Sequence, residues 1–545
     1  MKNFILLALL LCNSVSLYAQ KNLQMGPMIK IDKEKYWADL EHISTTAKGS
    51  YFVLVPIEKL VHTTGIVIGS KHAELLGRFN PQTMVIEQVA PIPDLPDMNS
   101  KLEFVVQQGE SIITYLSVKD KRKDKIRLFA QKINSKNLAP NGRAKEVLAV
   151  DFPEDKFKHI NFTHEFSPDK SQLLVSYSLT DKKNYLVSFG YLVLDDQQTA
   201  TNRWAKSFQM EDGIYSMDQF RIANDGTVYL LTTYYPNKKM VKKSTDLEKN
   251  GLLSNSRSFV IEPNFEHRLI SFGQGDQLTI TPISYQDKFL ITTDIITTAQ
   301  GLMAMSFFGA HESTVPEGMV VLSMNKKGEV LQQDAQVLPG SFSKPSNEKN
   351  KTKGFLSTGK RFRDYRFTLN EVLYKSDGGY VFSGERTMTH VISHKDGSGN
   401  VTLEQIDHTD DIALLDISAQ GKINAFHRIE KAQEASGVAG LMASYKLMEQ
   451  NGQLFCFFTE LNKKTVKWGK WTKTEAIMVR IDQNGQMNRS VLFDADQADV
   501  TIKANDTFLT DRGDFVFLGA KNIKNWRFIR YNPDSKLRAE IEDEE

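Results

Sequence analysis

Asp377-Gly378-Gly379-Tyr380-Val381-Phe382-Ser383-Gly384 reads as a tight turn that runs straight into a strand of aromatic and β-branched residues. Asp and Gly supply the turn, because Gly reaches positive φ without a Cβ penalty and Asp bonds its own backbone. The same pairing recurs along the chain: Gly49 before Tyr51–Leu54, Gly109 before Ile112–Tyr115, Asp169 before Leu173–Ser176, and Gly226 before Val228–Leu231. It continues as Asp287 before Phe289–Ile291, Gly452 before Leu454–Phe455 and Gly513 before Phe515–Phe517, with most copies about 60 residues apart.

A second element follows in the later copies. Val320–Met324 and Ala413–Ile417 each run into a Gly-containing turn, at Gly328 and Gly421, and out into another strand. Ile477–Ile481 does the same through Gly485, and each is a hairpin signal. One unit therefore holds strand a, a turn, strand b, a variable connection, strand c, a tight turn and strand d. Helical periodicity is scarce throughout. The expected class is all-β, a single β-propeller of about eight four-stranded blades, with seven if the irregular first unit is not a blade. Tandem β-sandwich domains are the competing architecture, since alternating strands serve both. The last unit supplies only three strands, Val500–Leu509, Phe515–Leu518 and Trp526–Tyr531. Gln24–Asp32 is expected to add the fourth and close the ring, removing open edges.

The Asp377–Gly384 stretch and the Gly-containing hairpins resemble those of extracytoplasmic bacterial β-propeller repeat proteins. The resemblance is architectural, spans residues 24–535, and implies a fold without implying an activity. Residues 1–19 have the Lys2, apolar Phe4–Leu11 and small-residue Ala19 pattern of a signal peptide. Residues 20–535 form the propeller and 536–545 an acidic C-terminal tail. With the leader removed, no stretch is long enough to span a membrane, and the expected location is extracytoplasmic. Only Cys456 then remains, so no internal disulfide forms, and its Phe-rich strand marks it as a buried thiol. With 33 Gly and 16 Pro in 545 residues, collagen-like and most low-complexity classes are excluded.

In a propeller the a–b and c–d turns share one face and the b–c and d–a connections share the other. Segments 236–257, 296–318, 385–411 and 461–474 read as b–c loops and 340–363 as a d–a connection, all on the second face. Segments 119–125, 236–257, 340–363 and 461–474 together carry +18, against −2 in 296–318, −4 in 385–411 and −10 in the acidic inter-blade connections, so the face is patterned rather than uniformly basic, with patches that suit steering of an anionic partner. Lys467, Trp468, Lys470 and Trp471 combine exposed aromatics with cations and are candidate binding residues. Met303, Met305, Phe307 and Phe308 are further candidates, as an apolar run within a predicted loop. His390, His394 and His408 beside Asp407, Asp410 and Asp411 can be drawn as a metal site, but a solvated His-and-Asp loop accounts for them better. No metal and no cofactor is expected. G-x-S-x-G, Walker A and H-E-x-x-H motifs are absent. The leading reading is a non-catalytic binding or scaffold module, its partner an envelope protein or acidic surface polysaccharide rather than nucleic acid. The alternative is a carbohydrate-active enzyme with a carboxylate pair near the central channel, which leaves no sequence motif.

Overall fold

The computed structural model describes residues 22–30, 37–46, 49–57, 75–96, 98–109, 111–181, 187–208, 214–236, 265–272, 278–298, 301–310, 316–339, 366–395, 401–436, 443–461, 466–467, 470–471, 474–522 and 525–533. Two short strands, β1 (Leu23–Met25) and β2 (Ile29–Lys30), precede eight strand groups. Blade 1 is β3 (Trp37–Thr46), β4 (Gly49–Ile57), β5 (Leu75–Asn80) and β6 (Val85–Pro91). Blade 2 is β7 (Ser100–Gln108), β8 (Ser111–Asp120), β9 (Lys125–Ile133) and β10 (Lys145–Asp151). Blade 3 is β11 (Phe157–Phe166), β12 (Leu173–Asp181), β13 (Val187–Leu194) and β14 (Ala200–Phe208). Blade 4 is β15 (Ile214–Ile222), β16 (Val228–Tyr235), β17 (Glu266–Phe272) and β18 (Leu278–Ile283). Blade 5 is β19 (Phe289–Thr298), β20 (Gly301–Gly309), β21 (Gly318–Met324) and β22 (Val330–Val337). Blade 6 is β23 (Arg366–Tyr374), β24 (Tyr380–Lys395), β25 (Val401–Ile417) and β26 (Ile423–Ser436). Blade 7 is β27 (Tyr445–Gln450), β28 (Gln453–Leu461), β31 (Thr474–Ile481) and β32 (Met487–Asp494), with a small hairpin of β29 (Val466–Lys467) and β30 (Lys470–Trp471) between its middle strands. Blade 8 is β33 (Thr501–Leu509), β34 (Phe515–Asn522) and β35 (Asn525–Tyr531), completed by β1 and β2.

Each sheet pairs its strands antiparallel in chain order, which makes this an eight-bladed β-propeller. Each innermost strand touches the next around the ring, and β33 of the last blade touches β3 of the first. The closure expected from Gln24–Asp32 is present: Leu23–Met25 pairs with Tyr531–Ile529, and Ile29 with Trp526. Strands b are buried on both faces, as in β16 and β20, because a neighbouring blade covers each side. Strands d alternate or lie open at the rim, as β6 and β22 do. A hydrophobic cluster fills every interface between neighbouring blades. At the seam between last and first blade, the Phe79 and Phe528 rings pack with centroids 3.9 Å apart and planes tilted by 34°. Truncating such a ring to Ala costs about 3–5 kcal/mol in a packed core.

Two assignments are corrected. Asp287 does not open an a–b turn, because it lies in the d–a connection between β18 and β19, where Tyr285 bridges Lys288. Strand a of blade 5 meets strand b later, where Thr298 pairs with Gly301 (φ 150). Consequently 296–318 is not a b–c insertion, and 301–309 is strand b of blade 5. Met303, Met305 and Phe307 pack into the core between blades 5 and 6, and Phe308 into that between blades 4 and 5. Phe308 lies over Gly318 on the adjacent strand, where any Cβ would collide with the ring. A seven-residue, mostly apolar run between two glycines looks the same in a loop as in a fully covered strand, and the neighbouring blades decide between them.

The expected leader 1–19 and the expected tail 536–545 lie outside the described residues, as do Trp468 and segments 237–257 and 340–363. Among the described residues, no helix is long and apolar enough to cross a membrane.

Candidate active site

The a–b and c–d turns are built alike. In blade 6, Lys375 N donates to Gly379 O and Gly378 N to Lys375 O, while Asp377 Oδ1 accepts from Gly379 N. Gly378 holds φ 82, which a residue with a Cβ adopts only under strain. The same backbone bonds close the turns at Ala223–Thr227, Asn325–Glu329, Asp482–Gln486 and Thr510–Asp514. Neighbouring turns are stitched together: Asp169 N donates to Asn224 Oδ1, Ser376 Oγ to Glu449 Oε1, and Gln450 Nε2 to Gly513 O. These bonds hold the innermost strands rigidly where they end at this face.

Four chemistry-bearing side chains meet there. Glu165 comes from β11, Arg221 from β15, Asp294 from β19 and Tyr374 from β23, one from each of four consecutive innermost strands. Side chains from four blades in succession converge only at the central channel. Arg221 Nη1 lies 3.2 Å from Glu165 Oε2, and Nη2 lies 3.3 Å from Asp294 Oδ1. Its Nε donates to Ile295 O at 2.8 Å, so the guanidinium is locked in one orientation. Because the terminal nitrogens of a planar guanidinium sit about 2.3 Å apart, the two bridged carboxylate oxygens are separated by at most about 9 Å.

Burial raises the pKa of both carboxyls above the ordinary range, and Arg221 opposes that shift in each. Asp294 also pushes Glu165 up, so the two carboxyls sense one another. Asp294 Oδ1 accepts from Ile295 N at 2.6 Å, a bond that favours the ionised form. Tyr374 is pushed up to about 12, first by desolvation, and interacts electrostatically with Arg221, Glu165 and Asp294. The Tyr374 residue nevertheless keeps 45% of its accessible surface, and the Glu165 side chain keeps 37%, which leaves both open to solvent in the channel. Asp294 is the sheltered member at 10%.

A second charged constellation lies between blades 6 and 7. Lys431 pairs with Glu385, its Nζ donates to Gln433 Oε1 at 2.9 Å, and Gln433 Nε2 donates to Thr459 O. Burial lowers the pKa of Lys431, with Glu385 working against that. Nearby, Arg428 donates to Asp411 Oδ2 through Nε at 3.1 Å and Nη2 at 2.6 Å. The Asp411 of the drawn metal site is thus engaged by an arginine. His390, His394 and Asp407 lie on the paired hairpin of β24 and β25 rather than in a loop, with His390 opposite Ile406 and His394 opposite Thr402. Among the described residues, no group of His, Cys, Asp or Glu is arranged to hold a metal. Cys456 is buried, as its strand composition implies.

The expected binding residues are not brought together. Lys467, Lys470 and Trp471 fall on the β29–β30 hairpin, where Val466 pairs with Trp471 and Lys467 with Lys470. Met303, Met305, Phe307 and Phe308 are core and do not meet solvent. Sequence reasoning misses Glu165, Arg221, Asp294 and Tyr374. The signal that marks three of them is position: Glu165, Arg221 and Tyr374 each stand within two residues of an a–b turn, where innermost strands open onto the channel.

No known protein family matches this chain, and no curated protein does. Among solved structures, it is similar to prolyl oligopeptidase B from Galerina marginata, at 9% identity over 88% of this chain and with a TM-score of 0.37. The chain spans 55% of that oligopeptidase. It is also similar to the polysaccharide lyase Uly1, at 8% identity over 94% of this chain and 100% of that one, TM-score 0.34. A third similarity is to the periplasmic gluconolactonase of Pseudomonas aeruginosa, at 12% identity over 73% of this chain and 99% of that one, TM-score 0.29. None of these likenesses bears on the chemistry of this chain.

Proposed function

We propose that this protein is a carbohydrate-active propeller enzyme whose acid–base pair is Glu165 and Asp294. One observation supports the reading: two carboxyls from different blades, each raised by burial, flank a single guanidinium beside channel water. Cleaving a glycosidic bond needs one protonated and one ionised carboxyl, about 5–9.5 Å apart, to serve the two sides of the bond. Glu165 is the more exposed and donates its proton to the leaving oxygen. Asp294, bonded to Arg221 and to the Ile295 amide, stays ionised and takes the proton of the water that attacks the anomeric carbon. Arg221 keeps the pair apart and in register. Tyr374 remains protonated at neutral pH and offers a hydroxyl to the substrate.

The test is release of new reducing ends from a panel of polysaccharides by the wild type and by the variants Glu165→Gln and Asp294→Asn. Each variant is expected to keep its fold and lose at least about 100-fold in rate, as removal of a general acid or base does. Cleavage at the wild-type rate by both variants, or no cleavage of any glycan by the wild type, overturns the reading.

A non-catalytic binding module is the second reading, and one observation favours it. Strands β24 and β25 stay paired out to Lys395 and Val401, well past Thr387, where β23 ends its pairing. The hairpin projects on the b–c face as a platform for an envelope protein or an acidic polysaccharide in an extracytoplasmic setting. A pull-down from envelope material with the hairpin shortened to residues 388 and 408 distinguishes the two readings.

A further inference from the structure

On the turn face, a cavity of about 1350 Å³ extends over blades 6, 7 and 8. Its inner wall is the a–b turns of those blades, including Lys375, Glu449 and Thr510. Its outer wall is the c–d turns, with Asp416 and Asn424 from blade 6 and Asp482–Gly485 from blade 7. Lys375 directly follows Tyr374 of the channel cluster, so the cavity and that cluster adjoin at the end of β23 in blade 6.

Its chemistry is that of hydroxyl recognition. Asn424, Asn451, Gln483 and Asn484 offer amides that donate and accept, which suits a ligand carrying many hydroxyls. Several lining groups are held rigid: Gln483 Nε2 donates to Asn451 O, and Asn424 Nδ2 to Asp416 Oδ1 at 3.0 Å. Asp482 Oδ1 accepts from Asn484 N and Gln486 N, which fixes the turn that presents Asn484. Charge narrows the class. Asp377, Asp416, Glu449, Asp482 and Asp511 face two cations, Lys375 and Arg512, and burial pushes the His427 imidazole below its ordinary pKa against the pull of Asp416. Lys375 is already shared between Asp416 and Asp377. Such a wall repels a polyanion.

We infer that this cavity is an extended cleft for a polymeric glycan without acidic groups, which it feeds to the channel cluster. The inference rests on the proposed carbohydrate activity, and a cavity of this size holds several sugar residues beyond the cleaved bond. A chain-like substrate follows, rather than a monosaccharide or a small lactone.

The test is calorimetric titration of the full chain, in the Glu165→Gln background so that nothing is consumed, with cellohexaose, xylohexaose, arabinohexaose and a galacturonic acid hexamer. At least one neutral hexamer is expected to bind, and to bind at least about tenfold more tightly than both its own disaccharide and the acidic hexamer. Asn484→Ala/Asp511→Ala, two turn side chains whose loss leaves the backbone bonds of the turns intact, is expected to weaken that binding by about tenfold or more. Preference for the acidic hexamer, equal affinity for disaccharide and hexamer, unchanged binding in the double variant, or no binding of any neutral hexamer overturns the inference. Binding of the hexamer by a wild-type protein that cleaves nothing sinks the enzyme reading and leaves the cleft standing.

Discussion

Two charged clusters sit in this propeller, and they differ in what surrounds them. The Lys431–Glu385–Gln433 cluster lies between two blades with its lysine wholly out of contact with water. The Glu165–Arg221–Asp294 cluster joins three blades, with Tyr374 from a fourth, and keeps a carboxylate and a phenol against channel water. Both hold cations beside carboxylates, so the residue types alone do not tell them apart. Access does: a charge sealed in a core serves specificity of packing, whereas one at a channel end is available to a substrate.

The sharpest way to break this comparison is Lys431→Met. It removes the buried cation that faces the Glu385 carboxylate, and is expected to cost about 3–5 kcal/mol in a denaturant titration. Pairing it with Glu385→Leu is expected to recover much of that loss. Arg221→Met comes next, at about 1–3 kcal/mol, because channel water solvates the Glu165 it abandons and the Ile295 amide still donates to the sheltered Asp294. In that variant the loss of glycan cleavage should far exceed the loss of stability. A stability cost at Arg221 equal to that at Lys431, with cleavage unaffected, would make both clusters structural.

The pH dependence sharpens it further. The folded pKa values of Glu165 and Asp294 lie above their unfolded values, so the folded state binds protons more readily in that window. Stability therefore falls as pH rises through the window and recovers as pH drops toward the ordinary carboxyl range. Relative to Glu165→Gln/Asp294→Asn, the wild type should gain in unfolding midpoint on going from pH 7 to pH 4. The smallest effect is expected at the exposed b–c turn of blade 2, where Lys121→Ala should change stability by no more than about 0.5 kcal/mol.

Much of the fold is legible in the residues themselves. The turns at Gly378, Gly452 and Gly513 announce themselves because a Gly at positive φ and an apolar strand are local requirements. The closing strand at Leu23–Met25 follows from counting, since the last unit lacks a partner of its own. Blade 5 is the place where local reading slips out of phase, because Asp287 also makes a turn before an apolar strand, and only the pairing of Thr298 with Gly301 shows where strand a meets strand b. The loop assignment of Met303–Phe308 falls with it. The sequence by itself determined the all-β class, a repeat of about sixty residues and the need for a closing strand, because each depends on turn chemistry and period; it left seven and eight blades both open, and the strand pairing decided for eight. Only the tertiary structure decided which apolar runs are covered and which charges meet. Glu165, Arg221, Asp294 and Tyr374 stand far apart in the chain and share no motif, and the curvature of the ring alone brings their strand ends to one axis.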